Sequence, residues 1–138
     1  TKEVNKIAIA NPANAPYGLQ TVNFFENKGI LEDVKPKLVY GESIAQTNQY
    51  IHTRAVSLGF TAKSIVLSPE MSDKGTWVAI DPTFYDPIAQ GVVITKYGKE
   101  NHPELSKQFL SFLFSGSVQA IFKKYGYEVS DSKPVLPY

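Results

Sequence analysis

Apolar strand-like runs alternate with amphipathic helical stretches, which predicts an α/β protein built on a parallel sheet. Three observations carry this expectation. The run Ile7-Ala-Ile-Ala10 is apolar throughout and reads as a buried strand. It passes through Asn11-Pro-Ala-Asn-Ala-Pro-Tyr-Gly18 into a stretch where Leu19, Val22, Phe24 and Phe25 fall on one helical face. The pattern then repeats, with a short apolar strand at Lys37–Tyr40 and a second helix from Ser43 to about Thr53.

Taken in order, Val4–Ala10 is the first strand. Pro16–Lys28 is a helix, with Pro16 accommodated in its first turn and Gly29 as its stop. Ile30–Val34 adds a helical turn. Ser43 is the N-cap of the second helix, whose buried face carries Ile44, Thr47 and Ile51. Ala55–Phe60 is a third strand. The character changes near Ser68-Pro69, and Pro69–Gly75 is polar and loop-like. Trp77–Ile80 and Gln90–Lys96 are expected as further strands, separated by an irregular crossing over Asp81–Pro87. Pro103–Phe114 is a helix with Leu105, Phe109, Phe112 and Leu113 inward. A last helix, Val118–Tyr125, is closed by Gly126, and the Pro-containing tail lies along the surface.

These elements are unevenly shared. The first part is a three-strand α/β lobe, whereas the second has two helices with wide apolar faces and little sheet to cover them. A partner sheet is therefore expected from outside this chain or from another copy of it, and the isolated chain is expected to self-associate.

Composition narrows the function. The 138 residues carry a net charge of +1 without a basic run, so nothing points to nucleic acid or an anionic membrane surface. There is no cysteine, which excludes disulfides, thiolate metal sites and a cysteine nucleophile. No apolar run reaches the roughly 18–20 residues of a membrane span, and no signal peptide is visible. His52 and His102, the two histidines, lie at a helix end and in a polar loop without carboxylates at a metal-ligand spacing. Ser64 and Ser68 lie in no nucleophile elbow, and no phosphate-binding or dinucleotide fingerprint is present. No enzyme is expected, and no cofactor.

The turn Asn11–Gly18 carries the most chemistry. A strand that enters a helix here leaves backbone N–H groups at the helix start, which together with the helix dipole suit an anion. The turn contains no Lys or Arg, so dipoles rather than a counter-charge would hold the ion. The simplest alternative roles are structural: Tyr17 packing, Ser43 capping, Ile44 filling the core, and Glu42 as a surface carboxylate.

Ile7-Ala-Ile-Ala-Asn-Pro-Ala-Asn-Ala-Pro-Tyr-Gly18 resembles the segment that opens the second lobe of periplasmic molybdate-binding proteins of ABC transporters. Lys35-Pro-Lys-Leu-Val-Tyr-Gly-Glu-Ser-Ile44, Gly59-Phe-Thr-Ala62, Trp77-Val with Pro87-Ile-Ala-Gln-Gly91, Phe109-Leu-Ser-Phe-Leu113 and Ala120-Ile-Phe-Lys-Lys-Tyr-Gly126 match further segments in the same order. The resemblance covers about residues 5–127. It implies a type II periplasmic-binding fold: a lobe with a parallel-rich sheet flanked by helices, plus the C-terminal part of a second, incomplete lobe. Residues 1–80 would form the lobe bearing the anion-binding helix N-termini, and 81–138 the crossing segment and the elements that return to the other lobe. The N-terminal section, which in the family supplies two hydroxyl-bearing loops, would be missing.

The resemblance further implies extracytoplasmic or periplasmic capture of a tetrahedral oxyanion, molybdate or tungstate. ABC permease subunits would be the partners, and contact with the membrane would be peripheral only. The ligand-binding residues would be Tyr17, through its N–H and hydroxyl, Ile44, through its N–H, and Pro16, Gly18 and Ser43 of the same two turns. No cation site is implied. Some members place a tyrosine after the third strand; Ala62 stands there in this chain. The alternative reading is a related lobe acting as an adhesin, an antigen, or a sensor for another anion or a small phosphorylated or carboxylated organic ligand. A pyrrole-type deaminase on a similar fold is the third, and nothing in the sequence supplies its usual acid.

Overall fold

The strand β1, Ile7–Ala10, is buried along its whole length. Every residue of it is 5% exposed or less, as expected of a central strand covered on both faces. In the computed structural model, which describes residues 4–71 and 73–129, β1 pairs in parallel with β2, Leu38–Gly41, on one side. It pairs with β3, Leu58–Gly59, on the other, giving the order β2-β1-β3. The register sets Ile7 opposite Leu38 and Leu58, and Ala10 opposite Gly41.

The two faces of β1 differ in bulk, and each selects its helix. Ile7 and Ile9 point to one face and pack with Phe25 of α1, Pro16–Asn27. Val22, Phe24, Leu31, Leu38 and Phe60 extend this core, and the Phe25 and Phe60 rings meet edge to face at 4.9 Å. The Ala8 face takes α3, Ile44–His52, which touches all three strands. Gly59 makes room for Ile51 there: a Cβ on Gly59 would lie 2.4 Å from that side chain. Between these helices, α2 (Leu31–Val34) and a 3₁₀ turn at Lys35–Lys37 lead the chain into β2.

Helix ends follow local chemistry. Beyond α1, Gly29 adopts φ +66°, with Gly29 N–H donating to Glu26 O at 2.9 Å and Ile30 N–H to Phe25 O at 3.0 Å. This left-handed closure satisfies the last carbonyls. Beyond α3 the same closure forms with Arg54 at φ 57°, its N–H on Ile51 O and that of Ala55 on Tyr50 O. A Cβ-bearing residue thus occupies a conformation that favours glycine.

After β3 the short α4, Lys63–Val66, which the periodicity does not predict, starts behind the buried Ala62. Trp77–Ile80 is not a strand. Strands persist through a ladder to a neighbour, and none reaches this segment among the described residues; Val78 is 90% exposed. The crossing is irregular as expected, with a 3₁₀ turn at Pro82–Phe84 capped by Asp81. The Thr83 N–H and hydroxyl both donate to the Asp81 carboxylate, which holds its pKa below the usual 3.8. This segment lies against α1. Asn27 Nδ2 donates to Phe84 O at 2.9 Å, Asp86 N–H donates to Gln20 Oε1 at 2.9 Å, and Lys28 Nζ sits 3.4 Å from the centre of the Phe84 ring.

The chain forms two compact units, Thr1–Ile88 and Ala89–Tyr138, so that residues 82–86 go with the first. In the second unit, Gln90–Lys96 also lacks a ladder and is not a strand. Its end is recruited instead by α5, Lys96–Asn101, because Thr95 Oγ1 accepts from Gly98 N–H at 3.2 Å and caps that helix. Two more helices follow: α6, Pro103–Leu113, and α7, Gly116–Lys124. The buried face of α6 centres on Leu110, beside Val118 of α7 among the buried residues. Leu105, Phe109 and Phe112, expected inward, are 65%, 60% and 54% exposed, because α5 and α7 are short and the second unit contains no strand among the described residues. Gly126 closes α7 at φ +80°, as its position in the sequence predicts. The C-terminal tail lies outside the described residues.

Two outcomes test this account. Gly18→Ala places a Cβ 2.0 Å from Ala10 O, and urea unfolding of the chain registers a loss of at least about 2 kcal/mol. Arg54→Gly relieves the left-handed residue and raises stability by about 1 kcal/mol in the same measurement.

Candidate functional site

Parallel pairing sends Ala10 and Gly41 to the same sheet edge, so the turns that leave β1 and β2 start side by side. Asn11 N–H donates to Gly41 O at 2.7 Å and ties them at their base. Further out, Asn14 Nδ2 donates to Glu42 Oε2 at 3.1 Å and ties them again.

The first turn is wound around Asn11. Its Oδ1 accepts from Ala13 N–H at 3.0 Å, and its carbonyl accepts from the N–H groups of Asn14 and Ala15. The N-cap of α1 is Ala15, with no side-chain capping bond. Pro16 contributes a fixed φ and no N–H. Gly18 is buried against the Ala10 carbonyl, a contact no side chain allows, and its N–H donates to Ala15 O at 2.9 Å. The sequence leads one to expect several open amides at this helix start. The structure instead engages most of them within the turn. Pro16 and Gly18 shape the tip. Tyr17, half-buried, carries the N–H and the phenol hydroxyl that the resemblance singles out, while its carbonyl accepts from Thr21 Oγ1 at 2.7 Å.

The second turn distributes its donors differently. Ser43 is the N-cap, as predicted, with Oγ accepting from Gln46 N–H at 3.2 Å. Its carbonyl takes the Thr47 N–H at 3.0 Å and the Thr47 hydroxyl at 3.0 Å. Gln46 reaches back, and its Oε1 accepts from Glu42 N–H at 2.7 Å. The Ser43-x-x-Gln46 spacing is that of a capping box, with the Gln46 side chain here reaching one residue further back than the N-cap. The N–H groups of Ile44 and Ala45 head the helix, with no carbonyl of the helix to receive them. Gly41 lets α3 fold back this closely, since a Cβ there would lie 2.6 Å from Thr47 Oγ1. An open depression of about 470 Å³ lined by Glu42, Ser43, Ala45, Gln46 and Gln49 fronts this tip.

All the expected site residues thus lie on two adjacent turns at one sheet edge. The sequence singles out Ile44 but not Ala45 or Asn14, whose parts depend on which donors the caps consume; Gln46 is missed there although its spacing from Ser43 is a readable capping signal. Ala62 is buried under α4, and Thr61 Oγ1 donates to Asn48 Oδ1 beside it. His52 ends α3 and His102 joins α5 to α6, remote in sequence from both turns. Among the described residues, no group of His, Asp and Glu is arranged to hold a metal ion. Neither turn contains Lys or Arg, so the electrostatics of the edge are those of helix dipoles and amides.

The chain as a whole is similar to known proteins. The family profile described as bacterial extracellular solute-binding protein matches residues 1–128. The molybdate-binding protein ModA of Rhodobacter capsulatus is 34% identical over 125 residues, 91% of this chain and 48% of that protein. The protein of the same name from Azotobacter vinelandii is 36% identical over 121 residues, 88% of this chain and 47% of that protein. The solved structure of the Azotobacter vinelandii periplasmic molybdate-binding protein superposes with a TM-score of 0.84 at 28% identity, covering 94% of this chain and 56% of that one. A Clostridium difficile substrate-binding domain shares the fold, with a TM-score of 0.68 at 23% identity. The α/β class with a helix-flanked parallel sheet therefore holds. The chain spans about half the length of the curated relatives it matches. It belongs to the family of bacterial extracellular solute-binding proteins.

Proposed function

We propose that this chain carries one lobe of a receptor that captures a tetrahedral oxyanion, molybdate or tungstate, outside the cytoplasmic membrane and passes it to the permease of an ABC transporter. The observation that carries the reading is the α3 tip. Ser43 and Gln46 consume the neighbouring donors, and the Ile44 and Ala45 amides head the helix beside the Tyr17 turn. Relatives of this chain are named for molybdate binding. A fully ionised tetrahedral oxyanion only accepts hydrogen bonds, so it needs converging donors rather than acids or bases. Residues 1–80 form the anion-binding lobe in this reading, and 81–138 return to the other lobe. Hydroxyl-bearing loops of that lobe complete the donor set, and the anion draws the two lobes closed. One lobe alone holds part of the donors and binds weakly. The role is one of binding, with no catalytic step.

Isothermal titration of the chain with molybdate and tungstate gives saturable heat, whereas sulfate and phosphate give none. Ile44→Pro removes one donor at the first helical position, which accepts proline and here follows an extended Ser43 (φ −144°, ψ 166°). Molybdate affinity falls about tenfold while the far-ultraviolet circular dichroism is kept. Heat from an organic acid with silence from every oxyanion would overturn the assignment.

In the second unit, Phe109 and Phe112 of α6 and Ile121 of α7 are each more than half exposed, at 60%, 54% and 52%. We infer that a sheet from outside this chain covers them in the whole receptor and that a second copy substitutes for it in solution. Light scattering at micromolar concentration then gives a mass above the 15.3 kDa of one chain. A single-chain mass contradicts this inference.

A further inference from the structure

A side-chain pair spans the two turns at their rim. Asn14 lies in the first turn and Glu42 in the second, 28 residues apart, and both are exposed. Glu42 is held at both ends: Gln46 Oε1 fixes its N–H at 2.7 Å and Asn14 Nδ2 holds its carboxylate at 3.1 Å. That carboxylate immediately precedes the N-cap of α3 and lines the depression in front of the helix tip. No hydrogen bond joins it to the Ile44 or Ala45 amides among the described residues.

A carboxylate one residue ahead of an N-cap is itself an anion at the positive end of a helix. Released, it is drawn to the amides that head α3 and competes there with any other anion. Held by Asn14, it leaves those amides to a ligand. We propose that Asn14 is a positioning residue that keeps the Glu42 carboxylate off the α3 tip and so prevents the chain from occupying its own anion site. The neutral amide suits the task, because Nδ2 donates to the carboxylate without adding a fixed positive charge that would hold the ligand. The inference rests on the oxyanion reading above and concerns what keeps that site open.

The test is a rescue experiment on the full chain, with molybdate as the titrant and urea unfolding beside it. Asn14→Ala lowers molybdate affinity roughly two- to fivefold, the effect of one carboxylate on a helix N-terminus. Its urea midpoint stays level or rises, since the freed carboxylate caps α3. Asn14→Ala combined with Glu42→Gln removes the competing charge and restores affinity to that of the unsubstituted chain. An unchanged affinity in Asn14→Ala overturns the role. So does a double variant as weak as Asn14→Ala, or a fall in midpoint that tracks the loss of affinity and persists with Glu42→Gln, which would make Asn14 a structural tie. If the unsubstituted chain gives no heat with molybdate, the oxyanion reading fails and this role with it; heat there with no effect of Asn14→Ala sinks the positioning role alone.

Discussion

The contact between the Gly18 backbone and the Ala10 carbonyl governs how this lobe is put together. Where β1 ends, α1 comes so near that a Cβ at Gly18 would lie 2.0 Å from the carbonyl oxygen. Gly41 makes the equivalent concession to Thr47 at the end of β2. Without these two gaps each helix would have to stand off its strand, and the turns would no longer be spanned by the 3.1 Å bond from Asn14 to Glu42. Close approach of backbone to backbone is thus the condition for two helix starts to share an edge. The large residues of the core, Ile9 and Phe25, then fix α1 against the sheet from behind.

The same edge shows how capping divides labour between two helices of similar make. At α1 a small, apolar N-cap and a proline leave the turn to satisfy itself through Asn11 and Ala15 carbonyls. At α3 the Ser43 and Gln46 side chains satisfy the N–H groups of Gln46 and Glu42 and leave those of Ile44 and Ala45 at the helix head. Which N–H groups the helix head leaves open is therefore decided by the capping side chains. Ser43, expected as a site residue, works through this division: its Oγ is occupied by Gln46 N–H.

Local signals carried much of this in the sequence, and signals that depend on a distant partner did not. Gly29 and Gly126 stop their helices because glycine alone is at ease at positive φ, and both could be read from position. Arg54 makes the same closure and is invisible, since nothing about an arginine marks a left-handed site. The apolar Ile7–Ala10 run announced a central strand, and Ser43 announced a cap. Trp77–Ile80 and Gln90–Lys96 have strand-like composition, but a strand is a relation between two segments, and among the described residues the second is lacking. Leu110 rather than Phe109 or Phe112 became the buried residue of α6 for a related reason: an amphipathic face says which side is apolar, whereas the neighbours present decide which part of it is covered. At the edge itself, Tyr17 and Ile44 stood out through resemblance and Gln46 was readable from its spacing to Ser43, while Asn14 acquired its part only when the turns were seen side by side.

An edge made of amides, with no lysine or arginine in either turn, has consequences for what it prefers. A lysine attracts any anion and loses strength as salt screens it. Fixed N–H groups instead reward an oxygen at a particular distance and direction and offer nothing to a ligand's own protons. An oxyanion that retains a proton would need an acceptor in the same place. The charged acceptor in the turns, the Glu42 carboxylate, gives one of its oxygens to Asn14 Nδ2. Under the proposed reading, such an edge suits a ligand that brings only acceptors, and it adds no net charge to a chain whose balance is +1. In that reading discrimination by size falls to the spacing of the two turns, which are tied by the Asn11–Gly41 bond at the base and the Asn14–Glu42 bond at the rim.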